Sequence, residues 1–117
     1  MTSPKRGEIW LVQLDPTRGQ EIKKTRPAIV ISSDIFNSTS MRIIVPVAKW
    51  QPKFKTRPFM IPITQSSENG LDVDSAGNVL QVRSVTTERF VRCLGTVSAE
   101  VMQELLMGLI LCIDYIP

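Results

Sequence analysis

Most of this chain consists of short apolar segments, each about the length of a β-strand, separated by polar stretches that carry turn-forming residues. Only the segment after Ser98 has helical spacing, and serine is a good helix N-cap residue. This pattern predicts a mainly β fold, a small and strongly bent antiparallel sheet or barrel with one C-terminal α-helix. The predicted strands are Gly7–Leu14, Ala28–Ile31, Arg42–Val47, Phe59–Ile63, Val79–Val82 and Val91–Val97.

Proline and glycine mark the boundaries and irregularities of the predicted sheet. Pro27 precedes the strand Ala28–Ile31, so it biases Arg26 toward an extended backbone where loop meets strand. Pro46 lies inside the third strand, and because proline donates no backbone hydrogen bond, we expect an edge strand or a bulge there. The pairs at 69–70 (Asn-Gly) and 77–78 (Gly-Asn) predict turns around short strands.

The terminal helix has more apolar surface than one small sheet can cover. One apolar stripe is widened by further apolar residues on its flanks. We therefore expect part of this surface to face a second subunit. The stripe contains Val101, Leu105, Leu109, Cys112 and Ile116, and the flanking residues are Met102, Leu106, Ile110 and Ile113.

The chain has 117 residues, the length of one domain, so residues 1–117 are expected to form a single unit. Its N-terminal sequence, MTSPKRGEIW, does not resemble a signal peptide. The longest apolar stretch, at 105–113, is too short to span a membrane. These features predict a cytoplasmic protein that makes no membrane contact.

The chain contains no histidine, which excludes every catalytic arrangement that needs an imidazole. Cys93 and Cys112 lie far apart and lack C-x-x-C spacing, so we expect two buried thiols rather than a disulfide or a metal site. An enzyme of this composition works with Arg, Lys, carboxylates and hydroxyls. No cofactor and no metal are expected.

The charge is strongly divided between the two halves of the chain. Residues 1–60 contain 11 Lys or Arg and 4 Asp or Glu, a net charge of +7. Residues 61–117 contain 3 and 7, a net charge of −4. This division indicates a basic face that suits a polyanion such as a nucleic acid.

A first group of candidate site residues lies in the loop between the first two strands. Gln20, Glu21 and Arg26 are close in sequence, so the loop can bring a carboxylate near a guanidinium. An exposed ion pair of this kind is common on protein surfaces and contributes little. The alternative is a site in which these groups bind a ligand.

Two more groups have the residue types that bind nucleic acid. The segment 49–57 interleaves cations with aromatic rings, which suits phosphates and unstacked bases. Its members are Lys49, Trp50, Lys53, Phe54, Lys55 and Arg57. A charged loop that protects apolar strands from aggregation, with Phe54 or Phe59 in the core, is the alternative. Gln81 and Arg83 alternate with apolar neighbours on a predicted strand, where they form either an outward face or the floor of a groove.

Several of these segments together resemble one known family. They are GEIWLVQLDPTRGQE at 7–21, TRPAIVIS at 25–32, IIVPV at 43–47 and LQVRSV at 80–85. In this order they are similar to the MazF/PemK/Kid family of toxin endoribonucleases (mRNA interferases). The resemblance implies an SH3-like barrel with a C-terminal helix and a homodimer. It also implies metal-independent cleavage of single-stranded RNA, inhibition of translation, and an antitoxin whose C-terminal segment occupies the RNA groove.

The resemblance also implies roles for individual residues. Arg26 matches the active-site arginine of the family, and Gln20 and Glu21 match the pair that lies close to the substrate. In such a reaction the 2′-hydroxyl attacks the adjacent phosphate, and a guanidinium stabilises the charge that develops. Glu21 is then either the base for the 2′-hydroxyl proton or the group that orients Arg26. Lys24, Lys49, Trp50, Lys53, Phe54, Gln81 and Arg83 are the further RNA-binding candidates.

One departure from the family pattern concerns catalysis. Relatives usually have a threonine after the third strand, whereas this chain has Ala48 and Lys49. Leu80 also stands where several relatives have an acidic residue. Either Lys49 replaces the missing hydroxyl as a phosphate ligand, or the chain is a catalytically weakened module that binds RNA or antitoxin.

Overall fold

A computed structural model describes residues 3–115 and contains seven β-strands and one α-helix. Single turns of 3-10 helix lie at Asp34–Phe36, Val79–Gln81 and Thr87–Arg89, and a longer one at Pro52–Thr56. The α-helix α1, Ala99–Cys112, begins where Ser98 accepts a hydrogen bond from the N–H of Val101 (3.1 Å), as the sequence predicts. The strands are β1 Glu8–Gln13, β2 Thr25–Val30, β3 Met41–Lys49, β4 Met60–Ile63, β5 Ser75–Asn78, β6 Arg83–Thr86 and β7 Phe90–Thr96.

The strands form one bent sheet in which every described pairing is antiparallel. The order is β4, β5, β3, β2, β1 and β7, and β6 pairs with the first half of β3. The predicted class, mainly β with a C-terminal helix, is confirmed. The barrel is not closed, since β4 and β7 end the sheet without pairing with each other within residues 3–115.

Pro46 lies in β3, an interior strand, and its pairing with β2 has no register shift, so both the predicted edge strand and the predicted bulge are wrong. On one side, β3 pairs with β2 through Ala28 opposite Pro46. On its other side, β3 pairs with β6 at 41–44 and with β5 at 47–49. Pro46 lies in the gap between these two partners, which is where a missing N–H interrupts no ladder.

The apolar run in β2 arises because both faces of this strand are buried. Ile29 belongs to a core cluster that α1 covers through Leu105. Ala28 and Val30 belong to a second cluster on the other face, with Trp10. A bent sheet can bury both faces, and the strand then reads as continuous apolar sequence rather than as alternation.

The prediction for residues 77–82 is wrong. Gly77 and Asn78 lie in β5 rather than in a turn, and Val79–Gln81 forms a 3-10 turn rather than a strand. Gly77 faces the core, where a Cβ would lie 2.8 Å from Leu105 Cδ2. Gln81 therefore precedes β6 instead of alternating along a strand with Arg83.

Arg42 does not contribute to the basic surface that the charge pattern predicts, since this residue is only 2% exposed. Its guanidinium donates to the carbonyl oxygens of Pro4 (2.9 Å), Thr39 (2.8 Å) and Met41 (2.9 Å). It also donates to Ser3 Oγ (2.7 Å) and, more weakly, to the carbonyl of Asn37 at 3.4 Å. This buried cation joins the N-terminal segment to the segment before β3.

A second contact fixes the same N-terminal segment. The backbone N–H of Arg6 donates to Asp34 Oδ1 (2.8 Å). This hydrogen bond lowers the pKa of the Asp34 carboxyl below its usual value.

One side of α1 is left uncovered. Val101, Leu105 and Leu109 pack on the sheet, whereas Met107 and Leu111 are 60% and 61% exposed. Ile113, just past the helix, is also exposed, and Ile116 lies outside the described residues. Within residues 3–115, no helix has the length and apolar character needed to cross a membrane.

Both cysteines are free, and the expectation of two buried thiols is wrong. Cys93 is exposed and Cys112 is half-buried. Partial desolvation of its sulfur still raises the pKa of the Cys93 thiol.

Candidate active site

Arg26 is the second residue of β2, and its position is set by backbone pairing on β1. It lies opposite Val12, and Pro27 lies opposite Leu11. The strand thus begins at Thr25, three residues earlier than the predicted start at Ala28. The Arg26 side chain is exposed although the backbone that carries it belongs to the sheet. The backbone of Arg26 is therefore held in the sheet while its guanidinium is exposed to solvent.

Ala48, one of the two positions at which the resemblance implies a threonine, lies beside Arg26. Ala28 pairs with Pro46, and continuing this antiparallel register by two residues on each strand places Arg26 level with Ala48. Facing residues of an antiparallel pair project to the same face. Lys49, the next residue of β3, is exposed and pairs with Ser75 of β5.

These strand ends form the bottom of a cleft of about 580 Å³. Because β3 lies between β2 and β5, the segments that precede β2 and β5 flank the cleft on opposite sides. Glu21 and Lys23 come from the first segment, and Asp72 comes from the second. The full lining is Glu21, Ile22, Lys23, Arg26, Pro27, Val47, Ala48, Lys49, Gln51, Leu71, Asp72, Val73 and Ser75.

The segment that carries Asp72 is fixed by close backbone contact with β7. Gly70 has a φ of +67°, and a Cβ there would lie 2.1 Å from the carbonyl oxygen of Leu94. A Cβ on Gly95 would lie 2.2 Å from the carbonyl oxygen of Glu68. Only glycine permits both approaches, so this wall of the cleft is held in place by packing. The turn at Asn69-Gly70 that the sequence predicts is confirmed.

Glu21 and Arg26 line the same cleft, but no hydrogen bond or ion pair joins them within residues 3–115. The Glu21 carboxylate instead accepts a hydrogen bond from the backbone N–H of Arg18 (2.6 Å). Of the two alternatives for this loop, the surface ion pair is not formed in this structure. Arg26 is left available for an external anion.

Gln81 and Arg83, predicted to bind RNA, both contact the loop between β1 and β2. The Gln81 amide bonds to the backbone at Gln20 and Ile22. The guanidinium of Arg83 donates to the carbonyl of Leu14 (3.2 Å). Both line a smaller hollow of about 220 Å³ that is separated from the main cleft by Glu21 and Ile22.

The aromatic residues of the basic segment are only partly available for stacking. Phe54 is 7% exposed, so the expectation that its ring is free to stack on a base is wrong. Trp50 is half-buried and packs edge-to-face on Phe54, with ring centroids 5.7 Å apart. Lys53 is exposed, and the guanidinium of Arg57 lies 6.0 Å from the centre of the Phe54 ring.

The other site residues divide into those that the sequence predicts and those that it does not. Gln20 and Lys24 are exposed in the β1–β2 loop, where Lys24 has a positive φ of 69°. Neither lines the main cleft. Asp72 is an unpredicted member of the cleft, and no local signal in its sequence distinguishes it. Among the described residues, no group of three or more His, Cys, Asp or Glu is placed to hold a metal ion.

The chain matches the family described as "PemK-like, MazF-like toxin of type II toxin-antitoxin system" over residues 5–113. The chain belongs to this toxin family. The match includes both flanks of the cleft and the strands at its base. The family membership expected from the sequence is thus confirmed.

Curated relatives of this PemK/MazF-like toxin are endoribonucleases. Endoribonuclease MazF9 of Mycobacterium tuberculosis is 40% identical over 94% of this chain and 96% of that protein. Endoribonuclease toxin ChpB of Escherichia coli K12 is 33% identical over 90% of each chain. These relatives support endoribonuclease activity, and the alternative of a catalytically weakened module that binds RNA or antitoxin is not favoured.

Solved structures establish the same fold for the toxin. MazF from Deinococcus radiodurans superposes with a TM-score of 0.80 at 22% identity, covering 98% of this chain and 100% of that one. A mycobacterial endoribonuclease in complex with its cognate antitoxin has a TM-score of 0.76 at 16% identity, covering 97% and 98% of the two chains.

Proposed function

We propose that this toxin cleaves single-stranded RNA in the cleft beside Arg26. The 2′-hydroxyl loses its proton and attacks the adjacent phosphorus, the P–O5′ bond breaks, and the leaving 5′-oxygen takes up a proton, which gives a 2′,3′-cyclic phosphate and a 5′-hydroxyl. The observation that supports this most strongly is the exposed Arg26 guanidinium, which a sheet strand holds within a cleft and which has no carboxylate partner among residues 3–115. A guanidinium forms two parallel hydrogen bonds to a phosphate. Its charge opposes the negative charge that grows on the phosphorane.

Proton transfer falls to the carboxylates that flank the cleft. Glu21 is the candidate base for the 2′-hydroxyl proton, because it lines the cleft on the β1–β2 side. General bases must reach within hydrogen-bond distance of the proton they accept, and apo geometry often tightens on binding. Within the described part of the chain, the Glu21 carboxylate is held by one backbone N–H of its own loop, so it can turn toward substrate.

Lys49 replaces the absent threonine as a second phosphate ligand. Ala48 offers no hydroxyl at the position level with Arg26, and Lys49 is the adjacent cation in the same cleft. An ammonium contributes a full charge where a hydroxyl contributes one hydrogen bond, although it is less directional. The site then holds the phosphate between Arg26 and Lys49.

Changing Lys49 to threonine is expected to lower the cleavage rate about 10²-fold, the loss typical of one removed transition-state donor. The measurement is single-turnover cleavage of an RNA oligonucleotide that the wild-type protein cuts. Lys5→Thr is the matched control, since Lys5 is exposed and outside the cleft. If Lys49→Thr cuts faster than wild type, the lysine weakens the site and its assigned role is wrong.

The cations that follow Lys49 are proposed to bind RNA phosphates outside the cleft. Lys53, Lys55 and Arg57 are exposed on one 3-10 segment and its cap. Replacing all three with glutamine is expected to reduce the slope of log affinity against log salt by about 2, since each phosphate contact contributes about 0.7 for a single strand. Filter binding of uncleavable RNA at several salt concentrations measures this slope. An unchanged slope contradicts the assignment.

We further propose a cytoplasmic homodimer that is inhibited by an antitoxin. Antitoxin complexes among the structurally similar toxins support such a partner. An acidic antitoxin segment suits a cleft that contains Lys23, Arg26 and Lys49. The exposed Met107 and Leu111 are the surface proposed for the second copy. Light scattering should give twice the chain mass of 13.1 kDa, and a single chain mass contradicts the dimer.

A further inference from the structure

The β1–β2 loop is long and polar, yet three side chains from one distant segment bind its backbone. Arg83 donates to the carbonyl of Leu14 (3.2 Å). Arg89 donates to the carbonyl of Gln13 (3.1 Å) and also to that of Asp15. Gln81 provides the third contact, which lies farthest along the loop. Hydrogen bonds from segment 81–89 therefore hold the loop backbone from its first residue to the neighbourhood of Glu21.

Both ends of the Gln81 amide are used in this contact. Its Oε1 accepts a hydrogen bond from the backbone N–H of Ile22 (2.6 Å), and its Nε2 donates to the carbonyl of Gln20 (3.1 Å). These two backbone groups lie immediately before and after Glu21. These two bonds use one acceptor site and one N–H donor of the amide, half of its capacity, and they fix its orientation against the loop backbone.

Ile22 is held from its other side as well. Its side chain is half-buried and packs against the core cluster that contains Trp10 and Val12. Residues Glu21 and Ile22 line both the main cleft and the smaller hollow, so they form the ridge between the two. Gln81 lies on the smaller-hollow side of this ridge and supports it.

We propose that Gln81 is a positioning residue: it fixes the backbone on both sides of Glu21, so that the carboxylate faces the phosphate bound at Arg26. This role replaces the direct RNA contact that the sequence suggests for Gln81. It rests on the proposed function, because it matters for catalysis only if Glu21 acts there. A displacement of about 1 Å of a catalytic group can cost 10²-fold in rate.

The test is Gln81→Met, which keeps the length of the side chain and removes both hydrogen bonds. We expect kcat to fall about 10- to 100-fold. Affinity for an uncleavable 2′-deoxy analogue should remain within about twofold, because no RNA contact is lost. Amide hydrogen exchange at Ile22 should accelerate about tenfold, as expected for one lost hydrogen bond. Gln103→Met, on the exposed side of α1, is the matched control and should change none of these.

Two more variants separate the possible failures. Gln81→Glu keeps the acceptor for Ile22, so that amide should stay protected, and equal exchange in Gln81→Glu and Gln81→Met overturns the described contact. The double variant Glu21→Ala, Gln81→Met should cleave RNA almost as fast as Glu21→Ala alone, because the effects of residues that act as a unit are not additive.

If Glu21→Ala cleaves RNA at the wild-type rate, Glu21 is not the base. The hydrogen exchange of the Ile22 amide then still tests whether Gln81 binds the loop backbone. Loss of RNA affinity without faster Ile22 exchange would show that Gln81 binds RNA directly.

Discussion

Replacing Arg26 with alanine is expected to lower the rate of RNA cleavage about 10²- to 10³-fold while the fold stays intact. The guanidinium is exposed and makes no described bond to a carboxylate, so its removal leaves no buried partner unsatisfied. The backbone pairing of Arg26 with Val12, and that of Pro27 with Leu11, do not involve the Arg26 side chain. Stability should therefore change little, and the loss should appear in the chemical step.

Arg26→Lys separates charge from geometry. Lysine keeps the positive charge but lacks the planar fork that binds two phosphate oxygens. We expect a rate between those of wild type and Arg26→Ala, measured by single-turnover cleavage with matched circular dichroism. Arg92→Ala is the control, because Arg92 is exposed on β7 and does not line the cleft. Equal cutting by wild type and Arg26→Ala removes Arg26 from the mechanism.

Replacing Arg42 with methionine is expected to destabilise the fold by about 3 kcal/mol or more. The side chain is 2% exposed, and its guanidinium satisfies carbonyl oxygens of Pro4, Thr39 and Met41. Methionine fills similar volume but leaves these acceptors without a donor. Buried acceptors without partners carry the full cost of desolvation.

Urea denaturation measures this loss of stability. The midpoint should fall with an unchanged slope, because the unfolding transition exposes the same surface. Arg92→Met, at an exposed position, should shift the free energy of unfolding by less than about 0.5 kcal/mol. If the two variants lose the same free energy of unfolding, the hydrogen bonds between Arg42 and the surrounding carbonyl oxygens do not stabilise the fold.

The sequence predicts those parts of the fold that depend on neighbouring residues. Alternation over Gly7–Leu14 predicts β1, the capping serine Ser98 predicts α1, and Asn69-Gly70 predicts a turn. The sequence likewise predicts that the cationic residue Arg26 lies where the loop meets an apolar strand. In each case the physical signal, side-chain periodicity or local backbone preference, lies within a few residues.

The contacts that the sequence does not predict join residues far apart in the chain. Gln81 and Ile22 are 59 positions apart, and nothing local indicates that the amide will bind a loop backbone. Pro46 lacks an N–H, which by itself favours an edge position, but its place within β3 depends on where β6 ends and β5 begins. The sequence suggests that the Phe54 ring can stack on a base, but in the fold Phe54 is buried in a cluster with Met60 and Ala76. Tertiary packing decides each of these outcomes.

The most direct test of the account uses one RNA oligonucleotide that the wild-type toxin cuts, prepared with and without a single 2′-deoxy nucleotide at the cleaved position. We predict that the deoxy substitution abolishes cutting at that bond and leaves the affinity of the toxin for the oligonucleotide unchanged. The uncut strand should still compete with RNA for the Arg26 cleft. Cutting of the deoxy strand at the same bond would contradict attack by the 2′-hydroxyl, and with it the mechanism assigned to this cleft.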